Sequence, residues 1–183
     1  MNTKENFKIT SVEDGKEYWI SRSVAVSVVI FGKDYSNQGK DVFLVHKRGN
    51  GCPDNIGKWS INCGYINWGE TIKQAAIRET YEETGLKLNE DDLTFVGYDD
   101  PVGDGKENVT LRFMATVDKA LIQCLLTIQQ INTNTKSRGG EDNEIEEFRL
   151  IDATHDSINL LNNDGWAFEH DLLLKTIIEN YEN

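Results

Sequence analysis

The sequence is poor in the features that mark membrane and secreted proteins. Its 183 residues include two prolines and three cysteines, and the cysteines match the spacing of neither a zinc site nor a disulfide framework. No apolar run approaches the ~20 residues that cross a bilayer. The first twenty residues lack the basic start and apolar centre of a secretory signal. These absences predict reduced cysteines, no membrane association and a cytoplasmic location.

Basic residues are also scarce. Lys and Arg number 19 against 31 Asp and Glu, which gives a formal charge of −12 and a pI near 4.7. This balance repels a phosphodiester backbone, so a nucleic-acid partner is not expected. Small polyanions stay compatible with the chain if divalent cations mediate the contact. The length and the 38% apolar content predict one globular domain over residues 1–183.

Hydrophobic patterning predicts strands on both sides of an internal helix. The clearest helix begins at Thr71, which has capping-box spacing to Gln74, and ends at Gly85. Residues 119–132 fit a buried helix or an extra strand, and we favour the helix. The predicted strands are Trp19–Phe31, Asp41–Arg48, Lys58–Tyr65, Leu93–Tyr98, Asn108–Asp118 and Phe148–Ile151, and the last helix is Trp166–Tyr181. This order predicts an α/β (α+β) sandwich with a mixed sheet.

The internal helix carries acidic residues where an apolar stripe is expected. At about 100° per residue, Glu79, Glu82 and Glu83 continue the stripe begun by Ile72 and the two alanines that follow. Like charges at this spacing cost roughly 0.2–0.5 kcal/mol per pair, and acids near a helix C-terminus oppose its dipole. Arg78 can neutralise only part of this charge. Either the acids bend out to solvent, or they bind a hard cation such as Mg²⁺ or Mn²⁺.

The segment Gly64–Leu86, GYINWGETIKQAAIRETYEETGL, resembles the Nudix box. The spacing of its Gly, Glu, Arg-Glu, Glu-Glu, Gly and apolar positions agrees with that pattern throughout. The one departure is Thr80, where the pattern prefers an aliphatic residue. The resemblance implies an α-β-α sandwich that hydrolyses a nucleoside diphosphate linked to another moiety, with Mg²⁺ or Mn²⁺ as cofactor.

The resemblance also implies roles for residues of the box. Glu82 and Glu83 would be metal ligands, Glu79 a further ligand or the residue that orients the attacking water, and the Gly64 carbonyl another ligand. Arg78 would hold the glutamates in register, which makes Glu79 and Arg78 part of the catalytic set. Glu70 would support the turn into the helix.

Nudix proteins often take their general base from a loop outside the box. The acidic segment before the last predicted strand is the natural source, and we favour Glu144, with Glu141 and Glu147 as alternatives. A merely solubilising acidic turn is the competing interpretation for each of the three.

Three further residues are candidates for contact with substrate. His46 and Arg48 belong to the one local cation cluster near the predicted site, and they could meet a substrate phosphate. Trp68 could stack on a nucleobase. The competing interpretations are an exposed strand end for the first two and a structural aromatic for the third.

The segments GYDDPVGDGKENVTLRFMA and AFEHDLLL resemble the branch of the family that includes ADP-ribose pyrophosphatases. ADP-ribose or a related sugar nucleotide is therefore the leading substrate. Two alternatives stay open: a nucleoside triphosphate pyrophosphohydrolase that releases pyrophosphate, and a non-hydrolytic nucleotide sensor. The expected partner is a small nucleotide, and the sequence leaves a homodimer open.

Overall fold

The structure is a computed structural model that describes residues 7–36, 39–101, 108–132 and 143–181. Nine strands and four α-helices lie in these ranges. The strands are β1 (Phe7–Thr10), β2 (Glu17–Ile20), β3 (Val24–Lys33), β4 (Val42–Arg48), β5 (Trp59–Ser60), β6 (Asn62–Tyr65), β7 (Leu93–Asp99), β8 (Val109–Asp118) and β9 (Ile145–Asp152). The helices are α1 (Ile72–Thr84), α2 (Lys119–Asn132), α3 (His155–Leu160) and α4 (His170–Tyr181).

A seven-stranded mixed sheet forms the centre of the fold. β3 pairs in parallel with β8, and β8 pairs antiparallel with β7. On its other side β3 pairs with β4 only near its C-terminal end, from Ile30 to Gly32. Toward the start of β3 the two strands diverge. β6 pairs with β3 and β5 pairs with β4, so the segment from Trp59 to Tyr65 fills the fork between them. β9 covers the outer edge of β4.

Two hydrophobic cores flank this sheet, because its central strands have apolar side chains on both faces. One core packs α3 and α4 against side chains such as Phe43 and Trp59. The other packs α1 and α2 against side chains such as Val26 and Val28. This arrangement is an α-β-α sandwich with a mixed sheet, as the sequence predicts.

The helix α2 and the strands β4, β7 and β8 lie where the sequence predicts them, whereas two predicted elements begin too early. The predicted strand Trp19–Phe31 is two strands, since β2 belongs to a separate antiparallel hairpin with β1. The predicted helix Trp166–Tyr181 begins only at His170, because Phe168 and Glu169 have φ values of 53° and 57°, outside the helical region. The short helix α3 is absent from the prediction.

In the part of the chain that the structure describes, every helix is too short or too polar to span a membrane.

Candidate active site

Helix α1 has well-defined ends. The Thr71 hydroxyl accepts a hydrogen bond from the Gln74 backbone N–H at 3.2 Å, and the Gln74 side chain accepts one from the Thr71 N–H at 2.9 Å. At the other end Gly85 has φ 73°, a conformation that suits glycine, and its N–H donates to the Tyr81 carbonyl at 2.8 Å. These caps confirm the predicted helix and fix the positions of the acidic residues along it.

Arg78 is the centre of the ionic contacts on this helix. Its guanidinium donates two hydrogen bonds to Glu70, at 2.7 and 3.0 Å. It also donates to Glu79 at 2.7 Å, to Glu82 at 3.0 Å and to the Tyr65 carbonyl at 2.9 Å. Bidentate and charge-assisted bonds of this kind are directional, so Arg78 joins the preceding loop to the helix. The hydrogen bonds to Glu70 are the largest reason that the pKa of Arg78 is raised.

Glu70 closes the loop before the helix. It accepts a hydrogen bond from the Asn67 backbone N–H at 2.5 Å in addition to those from Arg78. The pKa of Glu70 is lowered, chiefly because Arg78 donates a hydrogen bond to its carboxylate. This geometry agrees with the supporting position that the resemblance implies for Glu70.

Glu79 lies directly over Gly64 of β6. A Cβ atom at position 64 would lie 2.1 Å from the Glu79 carboxylate, a separation that no real side chain tolerates. Only glycine therefore lets the carboxylate approach this strand so closely. Burial raises the pKa of Glu79, and the hydrogen bond from Arg78 opposes that shift.

Glu83 is the most isolated acid of the helix. Its Oε2 atom is shielded from solvent and has no hydrogen-bond partner among the described residues, although Glu83 as a whole is half-buried. Burial raises the pKa of Glu83 well above its ordinary value, and the charge of Glu79 raises it further. A hydrogen bond from the Cys63 backbone and the charge of Arg48 act in the opposite direction. A buried carboxylate oxygen without a partner is costly, so a cation at this position would relieve it.

Glu82 differs from the other two acids. Its side chain is 50% exposed and pairs with Arg78 at the helix surface. Glu82 thus bends out to solvent, the first of the two alternatives that the sequence left open, because it lies about 80° around the helix from Ile72, at the rim of the stripe. Glu79 and Glu83 are partly buried, and Glu82 stays accessible beside them.

Glu144, just before β9, lies at the same end of the sheet as Glu83. Its carbonyl accepts hydrogen bonds from the Gly49 N–H at 2.7 Å and from the Cys52 thiol at 3.1 Å. These contacts hold the start of β9 against the loop that follows β4. The exposed Glu144 side chain lies close enough to Glu83 for its charge to raise the pKa of Glu83.

The two alternatives to Glu144 differ in position. Glu147 is bound by Arg149 at 2.5 Å, within β9. Glu141 lies outside the described residues. Within those residues, Glu144 is thus the acid of this segment whose charge acts on Glu83.

The two predicted cations near the site are both buried. His46 is 2% exposed, packs edge-on against Phe148 and has its pKa lowered to about 3 by burial. It is neutral at physiological pH, so the structure does not support it as a cation for a substrate phosphate. Arg48 is 8% exposed, donates to the Asp54 side chain at 3.0 Å and lies 5.1 Å from the centre of the Phe168 ring. Its charge reaches Glu83 from inside the protein rather than from the surface.

Trp68 stands at the entrance to helix α1. It is 94% exposed, and its ring meets Tyr18 of the N-terminal hairpin edge-on at a centroid distance of 6.0 Å. The exposed ring is available for stacking, which is compatible with the predicted contact to a base.

The structure adds a residue that the sequence analysis missed. Asn62 is 3% exposed, and within the part of the chain that the structure describes the Nδ2 atom of its amide has no hydrogen-bond partner. The signal was present in the alternation of WSINCGY, since residues 62 and 64 of a strand share one face. It was overlooked because a single asparagine in a short strand carries no recognised motif.

Comparisons with known proteins agree with this geometry. The sequence profile of the NUDIX domain matches residues 21–168. The chain belongs to the Nudix family. Its fold resembles those of solved Nudix proteins at identities that support similarity of fold alone.

Three of these structures illustrate the range of identity and coverage. The NUDIX domain of Shewanella oneidensis NrtR, complexed with ADP ribose, has 14% identity and a TM-score of 0.61, over 88% of this chain and 90% of that one. An Ap4A hydrolase from C. elegans has 20% identity and a TM-score of 0.55, over 87% and 98%. A MutT/nudix family protein from Enterococcus faecalis has 18% identity and a TM-score of 0.53, over 74% of this chain but only 45% of its own length.

The protein is thus a Nudix hydrolase, a pyrophosphohydrolase by family. Nudix hydrolases generally use divalent metal ions, and the side chains present fit such an ion in part. The unpartnered oxygen of Glu83 and the carboxylate over Gly64 are hard oxygen ligands in need of positive charge. Among the described residues, however, no three His, Cys, Asp or Glu side chains converge as a ready metal site. Arg78 holds Glu79 and Glu82, so water or substrate oxygens would complete the ligand set.

The raised pKa of Glu83 predicts how the stability of the metal-free protein changes with pH. A carboxyl group whose pKa is higher in the folded than in the unfolded state stabilises the fold only while it is protonated, below its ordinary pKa. This stability is lost as pH rises through the folded-state pKa. Glu83→Gln removes the charge, and we expect it to stabilise the chelator-treated protein at pH 7.5 by about 1–3 kcal/mol.

Thermal unfolding with EDTA at pH 7.5 and pH 4 measures this effect. The advantage of Glu83→Gln should shrink at pH 4, where the wild-type carboxyl is already protonated. Glu82→Gln is the matched control and should give no stabilisation, because Glu82 is exposed and paired. A Glu83→Gln variant less stable than wild type at pH 7.5 would contradict the burial of an uncompensated charge.

Proposed function

We propose that the protein is a metal-dependent pyrophosphohydrolase that cleaves the phosphoanhydride of a nucleoside diphosphate linked to another moiety, with an ADP-ribose-like compound as the leading substrate. The observation that carries the proposal is the buried, unpartnered oxygen of Glu83 beside Glu79 and Gly64. In a Nudix hydrolase this arrangement supports a cation site at the reacting phosphates. The products would be two phosphorylated compounds.

Glu79, Glu82, Glu83 and the Gly64 carbonyl would hold Mg²⁺ or Mn²⁺. Such an ion supplies positive charge to the phosphate oxygens and to the attacking water. Glu83 and Glu79 are already held in place, the first by the Cys63 backbone and the second by Arg78. Glu82 is exposed and could turn from Arg78 toward the substrate side.

Arg78 acts by holding these groups in position. Its five hydrogen bonds connect β6, the turn before α1 and the helix, so Glu70 and Glu79 keep fixed relative positions while Glu82 pairs with Arg78 at the surface. A guanidinium is suited to this because its donors lie in one rigid plane. The roles that the resemblance implies for Arg78 and Glu70 are consistent with this geometry.

Glu144 would accept the proton of the attacking water. It is exposed to solvent, its backbone is anchored by Gly49 and Cys52, and its charge acts on Glu83. A general base needs this combination of a fixed backbone, access to water and proximity to the reacting centre. Glu147 is a weaker candidate because Arg149 binds its carboxylate.

The preference for an ADP-ribose-like substrate has two supports. A NUDIX domain of similar fold has been solved with ADP ribose, and an Ap4A hydrolase shares the fold as well. In this chain Arg22 donates to the Pro101 carbonyl at 2.9 Å and to the Asn108 carbonyl at 3.2 Å, two described residues between β7 and β8. Asn108 in turn donates to the Tyr65 hydroxyl at 2.9 Å. The exposed ring of Trp68 would stack on the base.

Product analysis with Mg²⁺ or Mn²⁺ tests the proposal against its alternatives. ADP-ribose should yield AMP and a sugar phosphate, and Glu83→Gln should lower kcat at least about 10²-fold, since a charge at the developing transition state is lost. Circular dichroism checks that the variant is folded. Release of pyrophosphate from nucleoside triphosphates would instead indicate a triphosphate pyrophosphohydrolase. Binding of ADP-ribose with no turnover of any nucleotide in a broad panel would indicate a sensor.

Glu144→Gln tests the assignment of the base. The variant should lose about 10²- to 10⁴-fold in kcat, the usual contribution of a general base, while the Mn²⁺ concentration for half-activation changes little. Glu146→Gln, an exposed neighbour on β9, is the matched control and should behave as wild type. A normal rate in Glu144→Gln together with a large loss in Glu147→Gln would transfer the role to Glu147.

A further inference from the structure

Two buried polar atoms without partners lie between strand β6 and helix α1. One is Nδ2 of Asn62, a hydrogen-bond donor, and the other is Oε2 of Glu83, an acceptor. Buried polar groups are nearly always satisfied in folded proteins, and each unsatisfied one carries a free-energy cost. A donor and an acceptor that are both unsatisfied therefore raise the question of whether they serve each other.

The register between strand and helix brings these two residues to the same level. Gly64 lies against Glu79, since a Cβ atom at position 64 would come within 2.1 Å of the Glu79 carboxylate. Asn62 is two residues before Gly64, about 6.7 Å along a strand, and Glu83 is four residues after Glu79, about 6.0 Å along a helix. Since the chain reverses direction between β6 and α1, Asn62 falls opposite Glu83.

Three further contacts agree with a position of Asn62 opposite Glu83. The Cys63 backbone, directly after Asn62, hydrogen-bonds to Glu83. Asn62 pairs with Val28 in the sheet, and Val28 belongs to the core under α1, so both residues lie on the helix side. The side chain of Asn62 also hydrogen-bonds to His46, which is buried on the neighbouring strand β4. The Asn62 amide is thus enclosed on the face of the sheet that α1 covers.

We propose that Asn62 is a positioning residue for the metal site, with its Nδ2 donor linked to Oε2 of Glu83 through one buried water, since the two atoms make no direct hydrogen bond. A carboxylate oxygen has two lone pairs, so one can accept from this water while the other faces a cation. Groups that orient a metal ligand in this way commonly affect affinity by about 10- to 100-fold. The inference rests on the proposed function, because it assigns Glu83 to a divalent cation.

A double-mutant cycle of Asn62→Leu and Glu83→Gln tests the inference, with Mn²⁺ affinity measured by electron paramagnetic resonance. Leucine has nearly the same size as asparagine but no donor. Asn62→Leu alone should weaken Mn²⁺ binding by about 10-fold or more. In the Glu83→Gln background it should change binding less than about threefold, because its effect passes through Glu83.

Ser27→Ala is the matched control. Ser27 is 1% exposed and also has an unpartnered hydroxyl, but it pairs with Cys63 and so lies on the other face of the sheet. Its removal should leave Mn²⁺ affinity within about twofold of wild type, as expected for a group outside the contacts between Asn62 and Glu83. Asn62→Ala repeats the cycle if the leucine variant does not fold.

Wild-type Mn²⁺ affinity in Asn62→Leu, or an equal loss in both backgrounds, would overturn the role of Asn62 while leaving the proposed function intact. Failure of the wild type to bind Mn²⁺ more tightly than Glu83→Gln would instead overturn the proposed function. In that case thermal unfolding of the same four proteins in EDTA decides on Asn62. Non-additive shifts in Tm support its contact with Glu83, and additive shifts overturn it.

Discussion

The site depends on an imbalance of charge at the end of one helix. Arg78 satisfies Glu70, Glu79 and Glu82, but its guanidinium does not reach the inner oxygen of Glu83. Arg48 acts on Glu83 from a distance and is itself paired with Asp54. The result is a buried carboxyl oxygen that no group among the described residues satisfies. Folding of the surrounding sandwich has to offset this cost, and a bound cation would remove it.

The fork in the sheet makes this imbalance possible. Because β3 and β4 pair over only three residues, the segment from Trp59 to Tyr65 enters between them. It places Gly64 under Glu79 and the Cys63 backbone beside Glu83. The same end of the sheet receives Glu144, through backbone contacts to the loop after β4. Groups that are distant in sequence therefore meet at a position set by strand pairing rather than by flexible loops.

Local patterns in the sequence were sufficient for the parts of the fold that local forces determine. The caps at Thr71 and Gly85 are short-range hydrogen-bonding motifs, and the helix between them was predicted correctly. The continuation of the apolar stripe into Glu79 and Glu83 was also visible from helical spacing. By contrast, the break between β2 and β3 depends on pairing of β2 with β1, which alternation within Trp19–Phe31 does not reveal. The late start of α4 reflects positive φ values that tertiary contacts impose on Phe168 and Glu169.

The side chains near the site likewise divide into those whose role local sequence indicates and those whose role depends on the fold. His46 and Arg48 follow one another closely in a cationic segment, yet burial makes one neutral and directs the other to Asp54. Burial of a single side chain is a property of the whole sheet, so charge in the sequence was a poor guide to its role. Asn62 was missed for a related reason: alternation in WSINCGY shows that Asn62 and Gly64 share a face, but the level of Asn62 relative to Glu83 comes from the packing of β6 against α1.

The central claim is that the buried carboxylates bind a divalent cation. Anomalous diffraction from crystals grown with Mn²⁺ and a non-hydrolysable ADP-ribose analogue tests it most directly. We predict an anomalous peak at coordination distance, roughly 2.0–2.6 Å, from a carboxylate oxygen of Glu83, with Glu79 beside it. Ordered analogue in the cleft with no Mn²⁺ at Glu83 would contradict the account.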